Sequence, residues 1–366
     1  MRLSAILSIY IGRHFLFSFF SLLSLFLLLI LLFDSIELLR RTALQPDITF
    51  GMILEMAFLK LPHMGQETSP FAALFGGMAA FWRLTRTQEL AVTRAAGVSA
   101  WQFLLPVLLL SVVLGIFQMS VLNPIASTML SRYERLEALR IKGQTQALAL
   151  SPSGLWLRQM GQRGQSVVHS EQIVQQNDDV ELFNITVFLY EGLDNFHGRI
   201  DARSATLEDN FWHMRDVWIL KPEHPPQHEN EYWLETDLTL DKIQDSFSTP
   251  ETMSFWSLPE FIEALEKTGF SAVRHRLQWH SLLSSPLLMC AMVLISATFT
   301  LRQSNKRGTA FVTAGGILTG FLLYFFSDVV YALGLSEKIP PTLAAWAPSG
   351  IAMLLGLAML LHLEDG

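Results

Sequence analysis

The sequence predicts a polytopic α-helical membrane protein with six transmembrane helices, three before and three after an inserted all-β, jelly-roll-like domain. Three observations predict it. Apolar residues make up 51% of the chain against 16% charged, with a mean hydropathy of +0.34, and they are clumped into long runs. Between Gly143 and Pro250 the texture changes to short alternating runs broken by Gly, Asn, Asp and Pro. Three apolar runs lie on each side of that stretch, a 3+3 plan. The net charge of −7 comes largely from the middle third and says little about the membrane surfaces.

The first span covers residues 15–33, nineteen residues without a charge between Arg13 and Asp34. A signal-peptide core is shorter and leads into a small-x-small cleavage site. Here Asp34-Ser-Ile-Glu-Leu-Leu-Arg-Arg41 follows, so the run reads as a retained span. The second, residues 51–82, exceeds the roughly 20 residues a bilayer needs and contains Pro62 and Pro70. Its first third carries Glu55, Lys60, His63 and Glu67, which places that part at an interface or along a polar cavity. The remaining spans are residues 101–122, 279–301, 309–333 and 342–363. Small residues in the second (Gly76, Gly77) and fifth (Gly315, Gly316, Gly320) suit close helix packing in lipid. The lone cysteine, Cys290, sits in an apolar run and reads as a packing residue.

In the insert, runs at 154–158, 166–169, 182–190, 211–220 and 232–236 alternate with period two and read as antiparallel strands. Leu182, Ile185, Val187 and Leu189 are candidates for its interior. A helix follows: Ser257 is its N-cap with Glu260 three residues on, Pro259 lies in the first turn, and Leu258, Phe261, Ile262 and Leu265 form one apolar face before Gly269. The parts are therefore residues 1–142, 143–254 and 255–366, the last including this connecting helix.

Chemistry-bearing motifs are few. The dipeptide Gly-Lys never occurs, which excludes a Walker A loop, and HExxH, CxxC and Gly-x-Ser-x-Gly are absent. No acid–base–nucleophile set converges, so an enzyme is disfavoured, and neither metal nor cofactor is expected. His224-Pro-Pro-Gln-His228 reads as a polar loop, because two prolines preclude a helical pairing of the imidazoles. His63 and Glu67 are four apart, a structural hydrogen bond in the simpler reading and a proton relay in the other.

Charge sets the orientation. Arg2, Arg13, Arg83, Arg86, Arg94, Arg302, Lys306 and Arg307 share one face, which the positive-inside rule makes cytoplasmic. The β-domain then faces outward. Yet Arg40, Arg41, Arg132, Arg135, Arg140, Lys142, Arg274, Arg276 and Lys338 lie near the opposite face. Either an anion at the outer leaflet compensates them or they are salt-bridged to Asp34, Glu37, Glu134 and Glu137. On the inner side, residues 84–99 form a short surface helix ending near Gly97. It is either a solvated connector or a docking element for another protein.

Glu89-Leu followed by Arg94-Ala-Ala-Gly97-Val-Ser99 resembles the signature of the LptF/LptG permease family, the membrane subunits of the lipopolysaccharide export ABC transporter. Further matching pieces, in the same order, are Tyr10-Ile-Gly-Arg13, Gly154-Leu-Trp156, the Leu258–Gly269 apolar helix and Pro340-Pro341. Several of them lean toward the G branch of the family. The resemblance implies six spans in the bacterial inner membrane, both termini cytoplasmic and a periplasmic jelly roll. It implies pairing with an LptF-type subunit, a cytoplasmic LptB-type ATPase dimer and an LptC-type membrane-anchored jelly-roll protein, with lipopolysaccharide as substrate and no nucleic acid. It also implies that Glu89, with Arg94 and Gly97, couples to the ATPase, and that Arg40, Arg41, Lys60, His63, Arg132 and Arg135 hold lipid phosphates. His63 stands where G-type subunits can carry a lysine. Two rival readings are a mechanotransmitting permease for another periplasmic substrate such as lipoproteins and a membrane-anchored scaffold or sensor.

Overall fold

The computed structural model describes residues 5–43, 49–141, 148–151, 154–161, 164–176, 179–191, 195–208, 211–222, 224–236, 249–267, 271–301 and 309–365. Arg2, Lys142, Gly143, Gly269, Arg302, Lys306 and Arg307 lie outside these residues. The chain divides into two compact units: Met1–Ile141 with Glu251–Trp256 and Val273–Gly366, and Lys142–Pro250 with Ser257–Ala272.

The helices, in chain order, are α1 (Ala5–Thr42), α2 (Phe50–Arg86), α3 (Glu89–Ala95), α4 (Ala100–Phe117), α5 (Asn123–Arg140), α6 (Leu258–Lys267), α7 (Val273–Leu301), α8 (Thr309–Leu335) and α9 (Pro341–Asp365). All but α6 belong to the first unit. Helix α6 groups with the strands, rather than with the second helical half where the sequence reading put it; Leu258 and Leu265 on its apolar face are buried.

Five stretches of the described residues are long and apolar enough to cross a membrane: Ile6–Thr42, Ala100–Ala138, Val273–Thr300, Ala314–Leu335 and Pro341–His362. The expected second span is not among them. Helix α2 has the length, 37 residues or about 55 Å, but Glu55, Lys60, His63 and Glu67 dilute its first half. The third span is longer than read. A π turn at Gln118–Leu122 joins α4 to α5, so one rod runs from Ala100 to Arg140. Pro124 does not break it, because it falls in the first turn of α5, where its missing N–H costs little.

A shared apolar core holds the unit: Phe15, Phe19, Leu74, Phe81, Leu104 and Leu294 are all buried in it. Helices α1 and α2 approach backbone to backbone at Gly76, where an added Cβ would stand 2.9 Å from the Phe19 Cα. Away from α2 and α4, much of α1 is uncovered; Ile6, Phe17, Leu28 and Phe33 are more than half exposed. An apolar surface of that extent is stable only against lipid or another protein.

The second unit carries one seven-stranded antiparallel sheet whose spatial order is its chain order: β1 (Leu148–Ser151), β2 (Gly154–Gly161), β3 (Gly164–Gln176), β4 (Asp179–Glu191), β5 (Asn195–Glu208), β6 (Phe211–Leu220) and β7 (Gln227–Glu235). The jelly-roll expectation is corrected to that extent. Every described strand pairs with its chain neighbours in a meander, with none of the crossover returns a jelly roll needs. Strands β1 and β5 fall outside the alternating runs, and β7 begins at Gln227, inside the stretch read as a loop.

Side-chain alternation inverts along one transverse line of this sheet. Asn184 (φ 52°) and Asp216 (φ 56°) are left-handed, and both lie between the paired rows Phe183–Ser204–Arg215 and Ile185–Ala202–Val217. Asn and Asp tolerate that backbone because their short polar groups bond locally; Asn184 Nδ2 donates to Glu171 Oε2 at 3.0 Å. Buried positions consequently jump by three residues across the line, from Leu182 to Ile185, Ala205 to Ala202 and Met214 to Val217. Of the four expected interior residues, Leu182, Ile185 and Val187 are buried and Leu189 is half-buried.

Candidate functional site

The cations expected to hold phosphate gather where the ends of α1, α2 and α5 meet. Leu38, Met56, Leu59, Leu130 and Tyr133 pack the three helices into one apolar cluster there. Above it, one ion pair bridges each pair of helices. Lys60 Nζ lies 2.8 Å from Asp34 Oδ1, joining α2 to α1. Arg132 Nη2 lies 2.8 Å from Glu55 Oε1, joining α5 to α2. Arg41 Nη1 lies 4.0 Å from Glu137 Oε1, joining α1 to α5.

The cations are not equally available. Arg40 donates to Glu37 from Nε and Nη2, each at 2.9 Å, and Arg41 donates to the same carboxylate from Nε at 2.8 Å. These side chains remain 77% and 54% exposed, so water screens the pairs and leaves them weak. The Lys60–Asp34 pair is more enclosed, with Lys60 5.8 Å from the centre of the Tyr133 ring. Asp34 Oδ2 is buried and without a hydrogen-bond partner among the described residues. Arg135, exposed and one turn beyond Arg132, makes no ion pair among the described residues. His63 does not join this group: it pairs with Glu67 at 3.4 Å and lines a separate cavity with Gln66. Salt bridging, one of the two readings of the outward cations, is realised at Glu37, Asp34 and Glu137. Glu55 is a partner the sequence reading overlooked, 77 residues away from Arg132 in the chain.

The surface helix is shorter than the expected 84–99. Helix α2 continues through Arg86, Gln88 turns left-handed (φ 59°), and α3 occupies only Glu89–Ala95. The Arg94–Ser99 signature has a local physical meaning. Gly97 N–H donates to Arg94 O at 2.9 Å and Val98 N–H to Thr93 O at 3.3 Å, a Schellman stop that needs Gly97 at φ 84°. Two residues on, the Ser99 side chain accepts from Gln102 N and the Gln102 side chain accepts from Ser99 N, a capping box that starts α4. Together they make a sharp corner between two helices.

Leu90 anchors α3 in the core, while Arg94 is exposed and makes no ion pair among the described residues. The Glu89 carboxylate accepts from Thr87 Oγ1 at 2.9 Å, and the Tyr10 side chain lies near it. Tyr10 therefore sets the start of α1 beside α3, and Arg40 lies near the end of the same helix. Thirty residues separate them (40 − 10), which at 1.5 Å per residue is about 45 Å, the thickness of a bilayer with its headgroups. Helix α1 thus places the α3 corner and the cation junction one membrane thickness apart.

A family model described as "Lipopolysaccharide export system permease LptF/LptG" matches residues 9–362. The chain belongs to the LptF/LptG family. Among its relatives is the lipopolysaccharide export system permease protein LptG of Escherichia coli strain K12, 26% identical over 314 residues that cover 83% of this chain and 84% of that protein. The LptG of Haemophilus influenzae is 25% identical over 299 residues, 80% of each chain. This LptF/LptG member is a multi-pass membrane protein with a β-sheet unit, as the apolar helices and the meander require.

One feature of this LptF/LptG chain was illegible in the sequence. Three buried amides, Gln66, Gln118 and Asn123, link α2 to the π turn: Gln118 Nε2 donates to Gln66 O at 3.0 Å, and Asn123 Nδ2 to Gln66 Oε1 at 3.5 Å. Asn123 Oδ1 accepts the Phe255 N–H at 2.6 Å, pinning the 251–256 segment. Pro124 has no N–H to offer the carbonyl four residues back, Ser120 O, and Trp256 Nε1 donates there at 3.2 Å. The only sequence signal was three amides in apolar surroundings, and nothing in their spacing pairs them.

Proposed function

We propose that this chain is the G-type permease subunit of an ATP-driven lipopolysaccharide exporter in the bacterial inner membrane. In this reading α2 is the sixth crossing, its polar half facing an internal path rather than lipid. The α3 corner and both termini lie in the cytoplasm, and the sheet lies in the periplasm. An LptF-type subunit completes the lateral cavity, an LptB-type ATPase dimer supplies energy through Glu89, Arg94 and Gly97, and an LptC-type protein receives the lipid on its periplasmic bridge.

The observation that carries this reading is the length of α1 between Tyr10, beside Glu89, and Arg40 at the cation junction. A push on Glu89 reaches the far side along a single helix, without a flexible joint. At the far side a phosphate group competes with Glu37 for Arg40 and Arg41 and finds Arg135 unclaimed; charge-assisted bonds to a dianion favour the exchange. Each acyl methylene leaving the bilayer costs about 0.8 kcal/mol, so a many-chained lipid needs both hydrolysis and an apolar path. Exposed faces of α1 and α8 and the buried rows of the sheet are the surfaces available to it.

The test is lipopolysaccharide photocrosslinking and lipid-stimulated ATPase activity of the reconstituted complex. Arg135→Glu and the pair Arg40→Glu/Arg41→Glu should each lower crosslinking roughly ten- to a hundredfold, the worth of one or two charge-assisted bonds. Glu89→Ala should lower ATPase assembly while leaving crosslinking in place. Wild-type crosslinking in both arginine variants would remove the phosphate role, and normal ATPase assembly in Glu89→Ala would favour the scaffold reading.

A further inference from the structure

A second cavity in the helical unit, of about 360 Å³, is framed by α2, the π turn, α7, α8 and α9. Three carboxylates, Glu67, Glu251 and Asp328, line it, with no lysine or arginine among its lining residues. Glu67 is paired with His63, whereas Asp328 makes no ion pair among the described residues. Carboxylates on membrane helices are costly without a counter-charge. Arg274 acts on the lining Tyr331 alongside Glu251, so the carboxylate left without a counter-charge among the described residues is Asp328.

Ser349 points to a ligand independently. It is 2% exposed and lines the cavity, yet its hydroxyl has no hydrogen-bond partner among the described residues. A helical serine ordinarily donates back to the carbonyl four residues earlier. Here that acceptor, Ala345 O, is taken by Ser284 Oγ at 3.1 Å. The Ser349 hydroxyl is thereby left for whatever enters the cavity, beside the side chains of Gln118 and Gln278.

The wall chemistry selects among cations. No three His, Cys, Asp or Glu side chains among the described residues converge tightly enough to hold a metal ion. Separated carboxylates and hydroxyls suit instead a group that brings its own spread of donors, and a primary ammonium has three. Leu288, Met292 and Leu323 continue the lining as apolar surface, and the Phe71 and Tyr324 rings lie 5.7 Å apart beside it. The volume is at the small end for ligand sites, enough for a headgroup and not for acyl chains.

We infer that this cavity binds the primary ammonium of a lipid headgroup, with Asp328 and Glu67 as counter-charges and Ser349 as a further oxygen acceptor. The inference does not rest on the phosphate junction or on coupling to an ATPase. Two lipids could carry the group: a bilayer phospholipid of the phosphatidylethanolamine class, or lipopolysaccharide bearing an amine substituent.

The experiment is native mass spectrometry of the full chain, titrated with short-chain phosphatidylethanolamine, phosphatidylcholine and phosphatidylglycerol. Phosphatidylcholine keeps the positive charge but has no N–H to donate. Phosphatidylethanolamine should bind roughly tenfold more tightly than either, the worth of a charge-assisted bond. Asp328→Asn and Ser349→Ala should each erode that preference severalfold, and Ser349→Thr should keep it. Competition by amine-substituted but not unsubstituted lipopolysaccharide would assign the group to the transported lipid; no competition by either would assign it to the bilayer phospholipid. Equal binding of the three phospholipids overturns the inference, as does a weakening in Asp328→Asn shared equally by all three. Displacement by free ethanolamine at the same concentration would overturn the lipid part.

Discussion

Removing the Asn123 side chain should loosen one short segment most, although it also takes from Gln66 Oε1 its bond to Asn123 Nδ2. Asn123 is 3% exposed, and its Oδ1 accepts the Phe255 N–H at 2.6 Å in surroundings where Phe255 is itself 8% exposed. Asn123→Ala deletes that acceptor without opening a path for water, so the amide is left buried and unbonded. Such a group costs about 1–3 kcal/mol, and each 1.4 kcal/mol is tenfold in an opening equilibrium. The Phe255 amide should therefore exchange with deuterium roughly five- to a hundredfold faster. The bond from Trp256 Nε1 to Ser120 O and the stacking of Phe255 on Trp279, 6.3 Å apart at 15°, survive the substitution and limit the opening to this segment. The assay is peptide-resolved hydrogen exchange of the full chain over residues 251–256, with α7 peptides as the reference. Unchanged protection at Phe255 would show that Asn123 is not its acceptor. Equal acceleration in α7 would show that the amides hold the whole unit rather than this strap.

Further substitutions probe three other parts. Gly97→Ala puts a Cβ on a left-handed residue at a cost of about 1–2 kcal/mol, so exchange in Glu89–Ala95 should quicken and recovery of the ATPase partner in pull-downs should fall; unaltered exchange would count against the Schellman corner. Asn184→Val and Asp216→Val force β-branched residues into the same region, and each should lower thermal stability of the sheet by about 1–2 kcal/mol or more, read from tryptophan fluorescence of the buried Trp212; a neutral result would mean that the inversion line is not needed. Lys60→Met strands the half-enclosed Asp34 and should destabilise the chain by about 1–3 kcal/mol, while Lys60→Met/Asp34→Leu should recover most of that loss, since a vacated partner costs more than a vacated pair; additive losses would refute the pairing.

What the sequence made legible follows from the range of the physics involved. Long apolar runs and period-two alternation are local, and they located α1, α4, α7, α8 and α9 and the strands β2, β3, β4, β6 and β7. The α3 corner was legible for the same reason, because Gly97 and Ser99 act within a few residues of themselves. The reading faltered where distant chain segments decide. The His224–His228 stretch looked like a loop because two prolines dominate it, yet Gln227 onward pairs with Ile219 and its neighbours on β6. Strand β5 was missed because its apolar positions are few and small, Ile200, Ala202 and Ala205, and their alternation slips at Ser204; it is flanked by β4 and β6, which supply the order its own sequence lacks. Asn184 and Asp216 look like ordinary polar strand residues, and only their shared line across the sheet shows why Leu182 and Ile185 can both be buried. In the cation group the residue types were legible and their partners were not, since Glu55 meets Arg132 only through the packing of α2 on α5. His63, one turn from Lys60, is paired with Glu67 and lines the separate cavity.

The partial neutralisation of the junction bears on how such a site could work. Five bare cations around one phosphate would make a trap, since several charge-assisted bonds at about 1.5–3 kcal/mol each leave little chance of release. Glu37, Glu55 and Glu137 instead keep Arg40, Arg41 and Arg132 engaged in exposed pairs that water screens and weakens. In the proposed reading, a phosphate would then exchange one anion for another at small net cost in either direction. The three bridges also tie together α1, α2 and α5, so an anion that takes Arg41 from Glu137 or Arg132 from Glu55 loosens helix contacts as it binds. Binding and helix separation are in that case two views of one equilibrium, and by reciprocity a push that separates α1 from α5 must change the affinity for the anion. Lys60 and Asp34, the most enclosed pair, are the part of the junction least suited to exchange and the natural fixed point about which the others move.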